Sequence, residues 1–349
     1  MHILGLCNGQ LHGNSEILLK AALTEATSIN PEITTSWIHV PSLIIPRNPA
    51  PLKGAMDISM GTNKGQMSGS NARAKEDIDD RRAAMNAILD ADAIIVASAT
   101  YGHQPPGFLK VLMDRIGGPY LDAGFVREAL RKKDAGDPQF ADYKYDPRLL
   151  KHRPLGFMMT GGSTTPDQFS MALPSMHLYF YCLHAKVVDQ FVGKNVMDAG
   201  SVLLKPEILD RARKLAKNVV SQMGKDFDSA EYLGPSEPGS CPYCHLSTVE
   251  FFNDGQNGVG CITCGARGKL VVKDNGQIQA EFEEDSMWSC ITLKGKIEHG
   301  KDILSWGQKE RGKMADVQEE KEKWLNTEFP MVPLPSAEQS ALSNGVSKL

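Results

Sequence analysis

The stretch Ala91–Arg115, ADAIIVASATYGHQPPGFLKVLMDR, decides the fold class of this chain. Its continuous apolar run, Ala93–Ala97, is typical of a strand covered on both faces of a parallel α/β sheet. A polar turn, Ser98–His103, follows the strand, and an amphipathic helix, Phe108–Arg115, follows the turn. Because parallel sheets bind ligands at the carboxyl ends of their strands, this turn is a candidate ligand-binding loop. An ordinary connecting loop is the alternative.

The amino terminus has the same arrangement. The apolar strand Met1–Leu6 runs into the loop Cys7–Ser15, and an amphipathic helix follows. Backbone N–H groups at a helix start, together with the side chains of Asn14 and Ser15, can bind a phosphate group. Helix N-capping by either residue is the alternative role. The loop lacks the P-loop lysine and the GxGxxG pattern, so neither a triphosphatase nor a dinucleotide site is favoured.

A third segment, Pro154–Ser163, is again a strand that ends in a small, polar, glycine-rich turn. Glycines in such a turn let a ligand approach the backbone closely. Three strand ends with turns of this kind favour a shared ligand site over three unrelated connections.

These segments resemble the flavodoxin-like, NAD(P)H-dependent FMN reductases. The resemblance rests on ILGLCNGQLHGNSE, on DADAIIVASATYGHQPPGFLKVLMDR, and on GFMMTGGS followed by LYFYCLHAKVVD. It covers roughly the first two thirds of the chain. It implies a doubly wound parallel sheet, FMN as the bound cofactor and NAD(P)H as the co-substrate.

The resemblance also implies which residues hold FMN. The first loop would hold the phosphate, and the two later turns would lie along the isoalloxazine ring. The implied contacts are Asn8, Gly9, His12, Asn14 and Ser15 for the phosphate; Thr100, Tyr101, Gly102 and His103 along the ring; and Thr160, Gly161, Gly162 and Ser163 at its other edge.

The first loop departs from the family pattern. It reads Cys7-Asn8 where the family usually has Gly-Ser, it is shorter, and it has no arginine. His12 is the expected replacement donor, although only its protonated form adds charge. After the middle strand, Ala99 stands where the family often has proline.

Four of the seven cysteines form two CxxC turns, Cys241–Cys244 and Cys261–Cys264. Each turn can offer two thiolates to one ion, so Cys241, Cys244, Cys261 and Cys264 are predicted metal ligands. The intervening residues 247–260 indicate a strand, a turn and a returning strand, as in a zinc ribbon. Zinc is favoured, and a rubredoxin-like iron site is the alternative metal centre. Disulfides or a redox dithiol are the metal-free alternatives.

The remaining cysteines are Cys7, Cys182 and Cys290. Cys7 and Cys182 lie in apolar contexts that are typical of core residues. No role is assigned to Cys290.

Apolar runs and amphipathic stretches alternate through the first part of the chain. Strands are predicted at Ile3–Leu6, Ser36–His39, Ala93–Ala97, Leu155–Thr160 and Lys186–Gln190, and helices include Ile78–Leu89 and Pro206–Met223. This alternation predicts a doubly wound parallel sheet with right-handed crossovers. The predicted domains are a flavodoxin-like domain at 1–228, a zinc-ribbon-like module at 240–280, a C-terminal helical segment at 287–329 and a disordered tail at 330–349.

Two stretches are longer than plain connections. Residues 46–73 are rich in Gly, Ser, Asn and Met, and residues 118–151 are polar with several aromatics. Long loops often act as lids or assembly arms. The aromatic residues of 118–151 favour a role for that stretch as a wall of the substrate site. A mobile surface insertion is the alternative for 46–73. Family members commonly bind FMN near a subunit interface, which implies a homo-oligomer, a dimer or tetramer.

The segment Met287–Phe329 indicates a charged helical hairpin or a single long helix. It carries large apolar residues, among them Trp288, Trp306 and Trp324. A solvated helix has no need of such residues, so packing against the main domain or a partner chain is expected.

Composition excludes several functional classes. The 349 residues suffice for a large core and more than one domain. The net charge of −4 disfavours attraction to nucleic acids or anionic membranes. Because neither a bilayer-spanning run nor a signal peptide is evident, a cytoplasmic protein with no membrane association is expected.

The sequence therefore predicts an FMN-dependent NAD(P)H oxidoreductase that reduces flavin, a quinone or another small electrophilic aromatic acceptor. The flavin carries the redox chemistry, so no separate catalytic dyad is expected. Tyr101 is the candidate for the substrate-stacking face, and His103 is the candidate proton donor. A purely structural hydrogen bond is the alternative role for His103. The alternative function is an electron-carrier or partner-docking flavoprotein whose metal ribbon contacts another protein.

Overall fold

A computed structural model describes residues 1–46, 51–52, 78–252 and 255–330. Five strands form a parallel sheet in the order β2-β1-β3-β4-β5. They are β1 His2–Asn8, β2 Thr34–His39, β3 Ala93–Ala99, β4 Arg153–Thr160 and β5 Ala185–Gly193. The order reverses at β1, as in flavodoxin-like sheets, so a crevice opens between the ends of β1 and β3.

Helices cover both faces of this sheet. Helices α1 (Asn14–Ile29) and α6 (Pro206–Gln222) pack on one face, and α2 (Arg81–Asp90), α3 (Gly107–Tyr120) and α5 (Ala172–Phe180) pack on the other. The double cover explains why the strands are continuous apolar runs. The predicted fold class is confirmed, and each predicted strand is present and slightly longer than expected.

Residues 118–151 are mostly helical. Helix α3 continues to Tyr120, α4 spans Ala123–Asp134, and two 3₁₀ turns lead to β4. Because α3 begins at the carboxyl end of β3 and runs back, this region lies at the amino end of the sheet. Ion pairs at the same end join Arg148 to Asp90 at 2.6 Å and Lys151 to Asp92 at 2.9 Å.

Residues 118–151 therefore do not form the expected substrate wall at the candidate site of the same chain, because that site lies at the opposite end of the sheet. The aromatics of this region pack on one another instead. Tyr143 stacks on Tyr145 and meets the rings of Phe125 and Phe140 edge-on. The other long stretch, 46–73, lies almost entirely outside the described residues. Of its described part, Leu52 is buried and donates its backbone N–H to the Tyr120 hydroxyl (3.0 Å).

The cysteine-rich segment forms a second, antiparallel sheet in the order β6-β7-β8-β9. Its strands are β6 Val249–Phe251, β7 Gly258–Cys261, β8 Arg267–Val272 and β9 Ile278–Phe282. The pairing of β6 with β7 confirms the predicted returning strand, whereas β8 and β9 were not predicted.

The cysteine-rich module packs beside β5, the edge strand of the main sheet. Leu233 donates its backbone N–H to Val188 O (2.7 Å), and Gln190 Nε2 donates to Cys244 O (2.7 Å). The described chain up to Lys301 forms one compact unit, and a second unit begins at Asp302.

Two helices follow the module, α7 (Leu293–Arg311) and α8 (Gln318–Leu325), with a 3₁₀ turn between them. The predicted helical extension is present as two helices. Trp306 and Trp324 are 56% and 64% exposed, and their packing against the main domain or a partner chain stays a prediction. The predicted tail, 330–349, lies outside the described residues except for Pro330. Of the helices in the described ranges, none has the length and apolarity to cross a bilayer.

Candidate functional site

The loops after four strands meet at the carboxyl edge of the main sheet. The strand register places Asn8 beside Ser98, Ala99 beside Thr160, and Thr160 beside Gly193. The structure thus brings the three predicted segments together. It adds the loop after β5, which the sequence did not single out.

The first loop is joined to this edge through the start of α1. Ser15 Oγ lies 3.2 Å from Thr160 Oγ1. A Cβ atom at Gly9 would lie 2.8 Å from Ser15 Oγ, so only glycine lets the loop pack so closely on the helix. The leading N–H groups of α1 point out of the helix start, where they can bind an anion.

The side chain of Asn14 forms hydrogen bonds within the chain. Its side-chain Nδ2 donates to Asp198 O (3.0 Å), and its Oδ1 accepts from the backbone N–H of Val202 (3.1 Å). These bonds tie the start of α1 to the loop after β5. A phosphate contact from Asn14 would therefore use its backbone N–H.

His12 and Glu16 bond across the first loop. The His12 backbone adopts φ 60° and donates its N–H to the carboxylate of Glu16 (2.7 Å). Glu16 is almost fully buried and pairs with Lys20 at 2.6 Å, and this bond lowers the pKa of the Glu16 carboxyl. The first turn of α1 thus carries a paired carboxylate beside the first loop, which the i,i+4 spacing of Glu16 and Lys20 could have indicated from the sequence.

His39 was also missed as a site residue. It ends β2 and donates Nε2 to the Gly9 carbonyl (2.8 Å), while its Nδ1 accepts from the Ser42 hydroxyl (2.6 Å). Its position at the carboxyl end of a predicted strand could have indicated from the sequence that it lies near the site.

Residues 101–104 form a tight turn above β3. Tyr101 and Gln104 exchange two backbone hydrogen bonds of 2.8 and 3.2 Å. Gly102 and His103 between them have φ of 53° and 70°, the left-handed conformation that such a turn requires. Tyr101 is 64% exposed, and His103 Nδ1 lies 3.4 Å from Ser170 Oγ. Both predicted catalytic side chains therefore stand at the rim of the crevice.

Unpaired polar atoms support the placement of a ligand at this edge. Asn8 Nδ2 donates to Ser98 Oγ (3.1 Å) and Pro106 O (3.0 Å). Asn8 Oδ1 and Thr100 Oγ1 are buried without a hydrogen-bond partner in the described part of the chain. Such atoms are rare in folded proteins, and a ligand carrying N–H or hydroxyl donors would satisfy them. The residues present fit FMN.

The glycines of the turn Thr160–Ser163 are explained by packing within the chain. A Cβ atom at Gly161 would lie 2.6 Å from the Phe169 ring, and one at Gly162 would lie 3.0 Å from Met197 Cβ. Gly161 also donates to Gly193 O (3.1 Å), which fixes the turn beside the loop after β5. Close approach of a ligand is not needed to account for these two glycines.

The sulfur atoms of Cys241, Cys244, Cys261 and Cys264 lie within 4.8 Å of one another. The pairs Cys241–Cys264 and Cys244–Cys261 are 3.5 and 3.4 Å apart, far beyond a disulfide bond of about 2.05 Å. Four sulfurs around one tetrahedral zinc lie about 3.8 Å apart, given a Zn–S distance of about 2.3 Å. The cluster therefore fits a Cys₄ metal site. All four residues are buried, as in closed structural sites.

The two CxxC turns have the same backbone geometry. His245 and Gly265 follow the second cysteine of each turn with φ of 59° and 83°. Their N–H groups donate to Cys241 O (2.8 Å) and Cys261 O (2.9 Å). His245 takes the place of a glycine in this conformation, and its ring stacks on Tyr232 at 3.7 Å.

The remaining cysteines lie outside the cluster. Cys7 and Cys182 are buried, which confirms the prediction that they are core residues. Burial raises the pKa of the Cys7 thiol to about 11 and that of Cys182 to about 12, so both stay protonated at neutral pH. Cys290 is partly buried, and its N–H donates to Cys264 O (2.8 Å).

Comparison with known proteins agrees with this geometry. A family model described as NADPH-dependent FMN reductase matches residues 1–195. The chain belongs to this family. The flavone synthase cfoJ of Aspergillus candidus is 32% identical over 329 residues, which cover 92% of this chain and 94% of that protein. A solved structure of a flavone reductase has the same fold, with a TM-score of 0.73 at 22% identity over 96% of this chain and 100% of that chain.

The family supports FMN as cofactor and NAD(P)H as reductant for this oxidoreductase. The match to the flavone synthase extends well beyond residue 195. The similarity to this relative therefore includes most of the sequence that follows the matched family model.

Proposed function

We propose that this protein is an FMN-dependent NAD(P)H oxidoreductase that acts on the conjugated C2=C3 bond of a flavone-type substrate. The observation that carries the proposal is the nearly full-length relationship to a flavone synthase, in a chain whose strand-end loops meet in an open crevice. A flavone belongs to the third acceptor class expected from the sequence, the small electrophilic aromatics.

The proposed reaction balances without a further reactant. NAD(P)H gives up a hydride and becomes NAD(P)⁺. The hydride is added at C2, the carbon β to the carbonyl group, and a proton is added at C3, which yields a flavanone. FMN held at the start of α1 and along the turn Thr100–His103 would supply the hydride transfer between the nicotinamide and the second substrate. The reverse reaction forms a flavone from a flavanone.

The chain's own residues bind and orient the reactants in this proposal. The start of α1 holds the FMN phosphate, and the turn at Thr100–His103 lies along the ring. The exposed ring of Tyr101 stacks on the flat substrate. His103 stands at the rim of the crevice, 3.4 Å from Ser170 Oγ, and holds the proton that is delivered to C3.

The metal in this proposal is zinc with a structural role. A buried, closed Cys₄ cluster offers no open position for chemistry. All seven cysteines are free of disulfides, which fits the reducing cytoplasm expected from the sequence.

We also propose a homo-oligomer. Large apolar side chains are exposed near the carboxyl edge of the sheet. Phe108 at the start of α3, Met197 and Leu204 are 53%, 81% and 83% exposed. A neighbouring subunit that covered them would also exclude water from the crevice. Analytical ultracentrifugation tests this directly, and a monomer at micromolar concentration would contradict it.

The catalytic proposal is tested on purified protein under anaerobic conditions. NADPH and NADH are added in turn while the visible flavin band is recorded, and flavone is then supplied. The expected result is bleaching of the band, recovery on addition of flavone, and one flavanone formed per NAD(P)H oxidised. A flavin that neither nucleotide reduces contradicts the oxidoreductase. If the flavin band is bleached by NAD(P)H and returns on addition of a quinone but not of flavone, the proposed flavone substrate is contradicted.

The role of His103 has its own readout. The variant His103→Gln should slow flavone reduction about 10²-fold or more, the usual contribution of a general acid, while flavin bleaching by NADPH keeps its rate. Equal slowing of both half-reactions would instead indicate that His103 only shapes the loop.

A further inference from the structure

A second cavity lies away from the carboxyl edge of the sheet. Its volume is about 300 Å³, and its walls come from β4, β5, the end of α5, the first cysteine turn and the start of α7. Leu155 and Ala185 line it, and both belong to the beginnings of their strands. Thr160 and Gly193 end the same strands at the flavin crevice, so the two sites are separate. The cavity is large enough for a small organic molecule.

The walls of this cavity are aromatic and cationic. Aromatic rings come from Phe157, Phe180, Tyr181, Phe227 and Tyr243. The charged residues that line it are Lys186 and Lys296, and among the described residues that form the walls there is no carboxylate. Flat apolar surface combined with charges that are all positive suits an aromatic ligand that carries a negative charge.

Lys296 is the cation best placed to select such a ligand. It is 7% exposed, and its Nζ donates to Leu183 O at 2.8 Å. An ammonium group has three donors, so this bond uses one of them. Asp122 is the acidic group near Lys296, and it already accepts the N–H of Phe125 (3.0 Å) as the N-cap of α4. Burial lowers the pKa of Lys296 to about 8, so a paired anion would stabilise its charged form.

The ammonium group of Lys186 makes more hydrogen bonds within the chain than that of Lys296 does. Its Nζ donates to Ala230 O (2.7 Å) and Phe227 O (3.3 Å). These bonds hold its charge at one end of the cavity and close the wall formed by Phe227.

His177 offers a neutral wall. Its ring is fully buried, and its Nε2 donates to the amide oxygen of Gln190 (2.8 Å). The pKa of His177 is lowered to about 4 by burial, so it adds no charge at neutral pH.

We propose that this cavity is a binding site for a small aromatic anion, with the rings packed between Tyr181, Phe227 and Tyr243 and the anionic group paired with Lys296. The inference is independent of the proposed function. The site would exist only while the cysteine-rich module is docked, because Pro242 and Tyr243 of the first cysteine turn form part of the wall. The bond from Gln190 to Cys244 O holds that turn in place.

The test is calorimetric titration of the FMN-loaded protein with 2-naphthoate and with its neutral analogue 2-naphthamide. We expect naphthoate to bind at least about 10-fold more tightly than the amide, because only the acid forms an ion pair with Lys296. The variant Lys296→Met should remove this preference. The matched control Lys294→Met, an exposed lysine of the same helix paired with Asp285, should keep it.

A second variant locates the binding. Ala185→Phe fills the cavity from β5, so it should abolish binding of both compounds while the protein keeps its circular dichroism spectrum. The variant Tyr101→Ala at the flavin crevice should leave naphthoate affinity unchanged, and the visible flavin spectrum should not shift on titration. The proposal is overturned if wild-type protein binds neither compound, if Lys296→Met keeps the acid preference, or if binding shifts the flavin spectrum.

Discussion

Ser15 connects the start of α1 to the turn after β4, because its hydroxyl lies 3.2 Å from that of Thr160. Replacing Ser15 with alanine should weaken FMN binding about 10-fold, since a hydrogen bond contributes about 1 kcal/mol and the position also lies at the anion-binding helix start. Quenching of FMN fluorescence during titration measures this. Ser28→Ala, an exposed position of the same helix, is the control. Equal affinity of both variants and wild type would show that the phosphate lies elsewhere.

His177 gives the fold a pH dependence. Its pKa is about 4 in the folded protein, because burial disfavours the charged ring, against 6.5 when unfolded. The unfolded chain therefore binds this proton first as the pH falls. Stability from His177 is complete above pH 6.5 and is lost between pH 6.5 and 4, to a total of about 3 kcal/mol.

Urea unfolding of wild type and His177→Leu between pH 7 and 4.5 measures this effect. The variant should lose less free energy of unfolding over that range, and the difference between the two slopes cancels contributions from other groups. Parallel slopes would contradict the buried, neutral state of His177.

At this scale, sequence patterns identify residues better than they identify contacts. Asn8, Ser15, Thr100 and Thr160 could be predicted to converge, because each follows or borders a predicted parallel strand. The bonding of Asn14 to the loop after β5 could not, because its partners lie more than 180 residues away. No local pattern encodes such a contact.

Among the elements, the contact of β4 with α6 depends on Gly156. A Cβ atom there would lie 2.5 Å from Leu215 Cδ2 and 2.9 Å from Val219 Cγ2. Gly156→Ala should lower the free energy of unfolding by about 1–3 kcal/mol, as expected for overpacking. Gly118→Ala in α3, where an added Cβ meets nothing within 4 Å, should instead raise it by up to about 1 kcal/mol. Equal shifts in urea midpoint would contradict this account.

The strands of the main sheet were predictable because burial on both faces leaves a continuous apolar run. Helix α4 was overlooked because its many charges resemble those of a loop. Its signals were present: Asp122 caps its start by accepting from Phe125, and three basic residues occupy its last turn. Strands β8 and β9 were missed because they are short and half-exposed, so their apolar alternation is weak.

For the whole molecule, the metal is expected to decide whether the cysteine-rich module is folded. Mass spectrometry of native protein should find one zinc per chain. Cys241→Ser should lose the metal, and trypsin should then cleave within residues 240–285 while FMN stays bound. Cys290→Ser, outside the cluster, is the control and should keep both metal and protection. Iron in place of zinc, or metal retained by Cys241→Ser, would contradict this assignment.

The contact of the cysteine-rich module and its preceding linker with β5 has a consequence for synthesis of the chain. Val188 and Gln190, which receive the module, precede all four clustered cysteines in the chain. Because domains fold as units while the ribosome delivers the amino-terminal part first, we expect the five-stranded sheet to be complete before the first CxxC turn emerges. The finished edge of β5 is then available for the cysteine-rich module to pack against as that module folds.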